Sequence, residues 1–446
     1  MLVFVAHYLR VVLMVSLAFA VLGSRVVAAV QGSSEATVAV LSLSGHTMGA
    51  GYAIQWVPTG PQAEDVHLDQ VAQGVGTLLR GFEAALTTYA EDSPLLRWNR
   101  SQQTSPQSVH PEIGVLVQIG LGIHEQSEGA LDLTALPLVR LWGFGPGSKK
   151  NPVEDRSTPP TSDQLKQALS RVGMKYLVFD PEEQVLGKRF PELELDLNSV
   201  APGRAADLVG TWLEHHGVSS YLIDIGGELL ARGRKPSGEL WAVGVETPSE
   251  HYGSGIEERV VLENEAIATS GSYRKARMNA GRRISHIIDP RSGRPVEHGV
   301  VSASVIQSRA ALADGWATAM MVLGATDGIR IADQLGIPVL LISQNDQGGF
   351  QALRSQTWLS RQKRLSKEMS SGLSHLLGRT LLTASVFAVI ILAMAVGVIF
   401  RRKPIQGSCG GIANVMGESG CDACESKSQC KRKSKGLPQV EEDALT

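Results

Sequence analysis

In the stretch ALADGWATAMMVLG at 311–324, Asp314 and Thr318 stand four residues apart, so on a helix a carboxylate and a hydroxyl share one face. Two hard oxygen donors so placed suit Mg²⁺, which keeps waters and commonly takes a substrate phosphate. A capping or surface pair has the same spacing. In SHIIDPRSGRPV at 285–296, a strand from Ile284 to Ile288 runs into a tight turn made by Pro290 and Gly293, with His286 and Ile288 on one face. His286 is a general base if a hydroxyl and an orienting partner meet it, and a structural histidine otherwise. YLIDIGG at 221–227 reads as a buried strand ending in a diglycine, where a ligand or backbone approaches closely or the chain merely turns. LDLTALPLVRLWGFG at 131–145 sets Asp132 and Thr134 ahead of a Trp-Gly-Phe-Gly corner, and by itself reads as a capped, packed loop. Cys409, Cys421, Cys424 and Cys430 follow a C-x11-C-x2-C-x5-C spacing. Such thiolates hold zinc or iron, or remain loose thiols.

Helices and strands must bring these residues together. Apolar residues at helical spacing run from Val66 through Val71, Val75, Leu79, Phe82 and Leu86 to Tyr89, predicting a long amphipathic helix over 66–89. Further helices are predicted at 111–124, 162–172 with Ser162 as N-cap, 203–216 and 309–324. Strands are predicted at 38–43, 49–57, 175–179, 192–197, 219–225, 240–246, 283–288, 299–307 and 337–343. The two kinds interleave without a fixed period, which implies a mixed α/β (α+β) body over residues 31–358 and no internal repeat. Residues 359–380, rich in Ser, Lys and Arg, read as a juxtamembrane linker.

The chain has 446 residues, with Lys+Arg 42 against Asp+Glu 44 and a formal net charge of -2. No global basic field draws it to nucleic acid, so any partner is recognised locally. Hydrophobic residues make up 43% and charged residues 19%, enough for a buried core and too apolar for wholesale disorder. All 4 Cys follow residue 408, so the body does not rest on disulfides. Both ends carry membrane signals. Residues 1–30 hold the apolar run VVLMVSLAFAVLG ahead of Val27-Ala28-Ala29, the pattern of an export signal, either cleaved or kept as an anchor. Residues 381–400 carry no charge and at about 1.5 Å each reach about 30 Å, so one transmembrane helix is expected there, closed by Arg401-Arg402-Lys403. With the body exported to the periplasmic side of the inner membrane, the tail at 401–446 is cytoplasmic, where thiols stay reduced.

In chain order, GHTMGAGY (45–52), TTYAEDSPLLRWN (87–99), LDLTALPLVRLWGFG, LDLNSVAPGRAADLV (195–209), YLIDIGGEL (221–229), WAVGVETP (241–248), AIATSGSYR (266–274), SHIIDPRSGRPV and ADGWATAMMVLG resemble the ApbE family of FAD:protein FMN transferases, over about residues 38–345. No Gly-x-Gly-x-x-Gly opens a helix after a strand and no Walker loop occurs, so the common glycine-rich nucleotide folds do not compete. The resemblance implies an enzyme that binds FAD with Mg²⁺ on the pyrophosphate, transfers FMN to a Thr or Ser of a target protein and releases AMP. It implies Asp314, Thr318 and the Ala201 carbonyl as Mg²⁺ ligands, and Met48, Tyr89, Asp132, Leu133, Thr134, Asn198, Arg204 and Ile288 as the FAD lining. His286 falls beside the reacting phosphate, as base or electrostatic partner. Two positions depart from the pattern. Ala50 stands where Met-Gly-Thr is common, and Pro202 takes the lysine position of Ala-Lys-Gly-Tyr, so that lysine's phosphate contact falls to Arg204 or elsewhere. FAD hydrolysis, and FAD carriage without transfer, stay open as alternatives.

The tail, VGVIFRRKPIQGSCGGIANVMGESGCDACESKSQCKRK (396–433), resembles the small membrane maturation factor of the sodium-translocating NADH:quinone reductase. That pattern is a helix, a basic stop, Cys-Gly-Gly and further cysteines. The resemblance implies the flavin-accepting subunits of that reductase as partners; the four cysteines after the helix, as thiolates, take zinc or iron or remain loose thiols.

Overall fold

The structure, a computed structural model, describes residues 39–58, 68–144, 159–248, 255–272, 276–279, 282–345, 347–365 and 383–392. The chain divides into two units, 1–365 and 366–446. At the centre of the first lies an eight-stranded sheet: β1 (Leu41–Thr47), β2 (Ala50–Trp56), β3 (Tyr221–Ile225), β4 (Glu228–Arg232), β5 (Ala266–Gly271), β6 (Val300–Gln307), β7 (Val339–Gln344) and β8 (Phe350–Arg354). Spatial order equals chain order, and every neighbouring pair is antiparallel. The sheet is one meander interrupted by insertions. Met48 and Gly49, with φ of 49° and 76°, join β1 to β2; Gly226 and Gly227, with φ of 71° and 109°, join β3 to β4. Positive φ at both turn positions suits the twist of paired strands, and glycine adopts it without strain.

Between β2 and β3 the chain leaves the sheet to build α1 (Leu68–Leu86), α2 (Pro94–Arg100), α3 (Pro111–Gln126), α4 (Leu136–Leu141), α5 (Ser162–Leu169) and α6 (Ala201–His215), while α7 (Ala310–Leu335) joins β6 to β7. Alternation along the central strands sorts side chains to two faces. Ala266, Ala268, Ala303 and Val305 join the main core with α6 and α7, and their small size lets the alanine-rich α7 lie close. Ile267, Ile306, Leu340 and Ile342 pack instead with Trp358 and with a hairpin made by Trp241–Glu246 and Ile256–Leu262. A helical stretch at 356–365 closes this second layer. Trp358 Nε1 donates to Glu258 at 2.8 Å, Arg354 pairs with the same carboxylate at 2.8 Å, and Arg361 pairs with Glu265. Trp358, Arg361 and Leu365 are buried, so the body runs on through Leu365 and the expected boundary at 358 falls inside this stretch.

The mixed α/β expectation holds for the body, with differences in detail. Among the described residues the 66–89 stripe yields α1 from Leu68 to Leu86, which leaves Tyr89 beyond the helix. Thr161 rather than Ser162 caps α5, in a capping box with Gln164. Residues 192–197 alternate like a strand but enter no ladder; their backbone bonds the Asn99 and Lys188 side chains and loop carbonyls of Phe190 and Leu133 instead. The strand expected over 283–288 breaks at His286, between Arg282–Ser285 and Ile288–Asp289. Ser285 Oγ accepts the Ile287 amide at 3.0 Å, a local bond that competes with strand pairing. Among the described residues no helix is long and apolar enough to cross a membrane. Residues 383–392 of the expected span are helical, with Val386, Phe387, Val389, Ile391 and Leu392 exposed. The expected export signal, the rest of the span and the four cysteines lie outside the described residues.

Candidate active site

α6 and α7 meet at their first turns. Gly203 lies so close to the start of α7 that a Cβ there would stand 2.3 Å from the Ala310 carbonyl oxygen. Asp207, one turn along α6, accepts the Ala310 and Ala311 amides at 2.7 and 3.1 Å, satisfying donors that a helix start leaves unpaired. In return Asp314 Oδ2 accepts the Gly203 amide at 3.1 Å. Each helix thus satisfies the first turn of the other. Asp314 is only 5% exposed, and the α6 N-terminus sets the positive end of its dipole beside that carboxylate. Burial, and after it the charge of Glu228 at the start of β4, push the Asp314 carboxyl well above the ordinary range. One turn on, Thr318 Oγ1 lies 3.4 Å from Ser270 Oγ on β5.

A divalent cation fits this donor set. Asp314 and Thr318 offer hard oxygens on one helix face, and a cation offsets the crowded carboxylate charge. Ala201 opens α6 two residues before Gly203, at the same crossing. Among the described residues no three His, Cys, Asp or Glu form a metal cage.

The expected flavin-lining residues fall in several places. Met48 sits on the β1–β2 turn, held by Glu83 of α1, whose Oε2 accepts the Met48 amide at 3.1 Å and the Thr47 hydroxyl at 3.2 Å. The diglycine turn lies alongside, where Gly226 donates to the Gly51 carbonyl at 3.0 Å. Asp132 and Thr134 turn inward. Asp132 accepts the Thr134 and Met174 amides at 2.8 and 3.3 Å, and Thr134 Oγ1 accepts the Gly173 amide at 2.6 Å, which clamps their loop to 173–174. Leu133 is buried, and its carbonyl receives the Asp196 amide at 2.7 Å, bringing the exposed Asn198 alongside. Ile288 is buried with Leu138 and Leu165, while the half-buried His286 meets the Phe144 ring edge-on at 6.2 Å. Tyr89 is 82% exposed. Arg204 is committed to a forked ion pair with Glu112, at 2.7 and 3.0 Å, so it does not stand ready to replace a lysine at 202.

Residues 48–341 match the model of the ApbE family. The chain belongs to that family. A relative from Vibrio cholerae named FAD:protein FMN transferase is 36% identical over 306 residues, covering 69% of this chain and 88% of its own. One of the same name from Escherichia coli K12 is 34% identical over 325 residues, covering 72% and 88%. The solved flavin transferase ApbE from Vibrio cholerae superposes with a TM-score of 0.64 at 33% identity, over 72% of this chain and 99% of that one. Fold, motif order and relatives agree that the chain is a flavin transferase. Residues 398–442 match a second family, (Na+)-NQR maturation NqrM.

Glu83 lies outside the quoted motifs, and Asp207, Glu228 and Ser270 lie within them with no sign of their partners. Each is an ordinary residue in its own element, and only folding sets Glu83 against a turn 35 residues away. The glycine of APGR is the one local hint, since a glycine inside a helix costs stability unless close packing demands it.

Proposed function

We propose that the chain, with Mg²⁺ on the FAD pyrophosphate, transfers the FMN half of FAD to a Thr or Ser hydroxyl of a target protein and releases AMP. The observation that carries this reading is the Asp314 carboxylate, buried at the crossing of α6 and α7 with Thr318 one turn on, in a chain of this family. Bound there, Mg²⁺ supplies charge neutralisation and orientation of the pyrophosphate. Asp314, Thr318 and the Ala201 carbonyl hold it. Asp207 fixes the helix crossing, and Glu83 fixes the Met48 turn that flanks the flavin. His286 takes the proton of the acceptor hydroxyl as that oxygen bonds to the FMN phosphorus. The phosphorus–oxygen bond to AMP breaks, and AMP leaves with the electron pair.

Commitment of Arg204 to Glu112, with Pro202 beside it, favours one further reading, an FAD carrier that transfers nothing. The full chain in detergent, given FAD, Mg²⁺ and a peptide bearing the acceptor Thr, is expected to add an FMN mass to the peptide and release AMP. AMP and free FMN without modified peptide identify FAD hydrolysis, and bound FAD with neither product identifies the carrier.

The setting is a membrane. The uncharged run at 381–400, its helical part at 383–392 and the maturation-factor match at 398–442 support an anchor in the inner membrane. The catalytic body lies on the periplasmic side and the cysteine tail in the cytoplasm, where Cys409, Cys421, Cys424 and Cys430 hold iron or zinc. The targets are flavin-accepting subunits of a sodium-translocating NADH:quinone reductase.

A further inference from the structure

Residues 189–200 cross the body without joining any sheet, yet Leu193, Leu195 and Leu197 are fully buried. A buried backbone with no ladder needs other partners for its amides and carbonyls. Some amides bond loop carbonyls, as the Leu193 amide does Phe190 at 3.3 Å, and two side chains supply other partners. Asn99, in the last turn of α2, donates from Nδ2 to the Leu195 carbonyl at 2.9 Å and accepts the Leu195 amide on Oδ1 at 2.8 Å, standing in for a neighbouring strand. Lys188, 1% exposed, donates from Nζ to four carbonyls. Pro191 at 2.8 Å and Leu193 at 3.3 Å belong to the segment, while Asn99 at 3.1 Å and Trp98 at 3.2 Å belong to α2. The Trp98 ring lies 4.9 Å from the same ammonium. Three protons shared among four oxygens make a cage of carbonyl dipoles around a cation, the kind of oxygen set that elsewhere takes a monovalent metal ion. Burial draws the ammonium's pKa down, and the charges of Glu194 and Glu192 oppose that. The braced segment then reaches the other loop: the Asp196 amide meets the Leu133 carbonyl, and the Asn198 amide meets Asp196 Oδ1 at 3.1 Å.

We propose that Lys188 acts as a built-in cation that, with Asn99, fixes residues 191–198 against the 131–134 loop, and so serves as a positioning residue for the flavin site. The positioning role rests on the reading of Asp132–Thr134 and Asn198 as flavin-lining; the cage does not. The test uses Lys188→Met, neutral and of similar length, and Lys188→Ala, both in the full chain in detergent. Hydrogen exchange of the Leu195 and Asp196 amides, the FAD dissociation constant and turnover at saturating FAD are measured. In Lys188→Met those amides exchange about tenfold faster and FAD binds about tenfold more weakly, while turnover at saturation falls less than about threefold. Lys188→Ala regains protection and affinity in n-propylammonium chloride, but not in sodium chloride of equal ionic strength. Wild-type exchange in Lys188→Met, or no response of Lys188→Ala to the amine, overturns the cage. Faster exchange with unchanged FAD affinity overturns the positioning role. If the unaltered chain binds no FAD, the flavin reading itself fails, while exchange and amine rescue still judge the cage. If neither Lys188 variant folds, Asn99→Ala removes the other half of the brace, and unchanged exchange and FAD affinity there overturn the proposal.

Discussion

Replacing Gly203 with alanine tests whether the crossing of α6 and α7 sets the site. The added Cβ would stand 2.3 Å from the Ala310 carbonyl oxygen, 2.6 Å from its carbon and 2.8 Å from Ala311 Cα. All three are backbone atoms of a turn that Asp207 holds by two hydrogen bonds, so no flexible side chain can swing aside. To reach ordinary contact the helices must part by about 1 Å. Alanine gains about 1 kcal/mol of helix propensity over glycine, against about 3 kcal/mol for overpacking at the upper end of its usual range. The net loss is about 2 kcal/mol, a fall in melting temperature of roughly 3 °C, since about 2.1 cal/mol/K per residue over a body of about 330 residues gives about 1.5 °C per kcal/mol. Function should suffer more, because the same shift breaks the 3.1 Å bond from Gly203 to Asp314, and a misplacement of about 1 Å near the chemistry costs about 10²-fold. Calorimetry and FMN transfer to a peptide measure the two effects. Gly81→Ala is the control: this exposed α1 glycine has nothing within 4 Å of the position its Cβ would take, so alanine there should gain up to about 1 kcal/mol. A Gly203→Ala chain that melts with the unaltered one and transfers flavin at full rate refutes the reasoning.

His286→Ala should slow transfer by about 10²–10⁴ with FAD affinity little changed; a large loss of binding in a flavin titration would make it a ligand-holding residue instead. Because burial and Glu228 raise the folded-state Asp314 carboxyl, its contribution to stability is whole below the ordinary carboxylate value and is lost as pH rises through the raised one. In EDTA, from about pH 4 upward, the unaltered chain should therefore lose stability relative to Asp314→Asn, and Mg²⁺ should restore only the former; parallel melting profiles would sink this. Truncation after Phe400 should leave FMN transfer intact while a host lacking the full chain fails to assemble active sodium-translocating reductase. Survival of both activities would make the tail a mere extension of the anchor.

Periodicity and turn chemistry are legible where one element acts alone. The stripe of Val71, Val75, Leu79 and Phe82 gives α1, the four-residue spacing puts Asp314 and Thr318 on one face, and the diglycine gives the β3–β4 turn. What the chain does not display is the distant partner. Arg204 looks available for a phosphate until the fold sets Glu112 against it, and Lys188 looks like a surface lysine until four carbonyls surround it. Alternation at 192–197 misleads for a related reason: it reports which side chains are buried, not whether the backbone is laddered. His286 breaks its expected strand through Ser285, a competition that hydrophobic pattern does not weigh.

The β3–β8 part of the sheet is built through turns and modest insertions, but β2 meets β3 only after the chain has travelled from Val57 to Ser220. Closing a loop of that length costs about 4–5 kcal/mol of chain entropy before any contact is returned. The β3–β8 meander is therefore expected to fold first, with the β1–β2 hairpin docking late. The seam closed by that docking carries the bond from Gly226 to Gly51 and lies beside the Met48 turn. If the proposed flavin site spans that seam, FAD would bind only the closed form, and by mass action would add stability that grows with its concentration over its dissociation constant. The substrate of this enzyme would then also be the clasp on its last-formed strand pair, and cells short of FAD would hold more of the chain with that seam open.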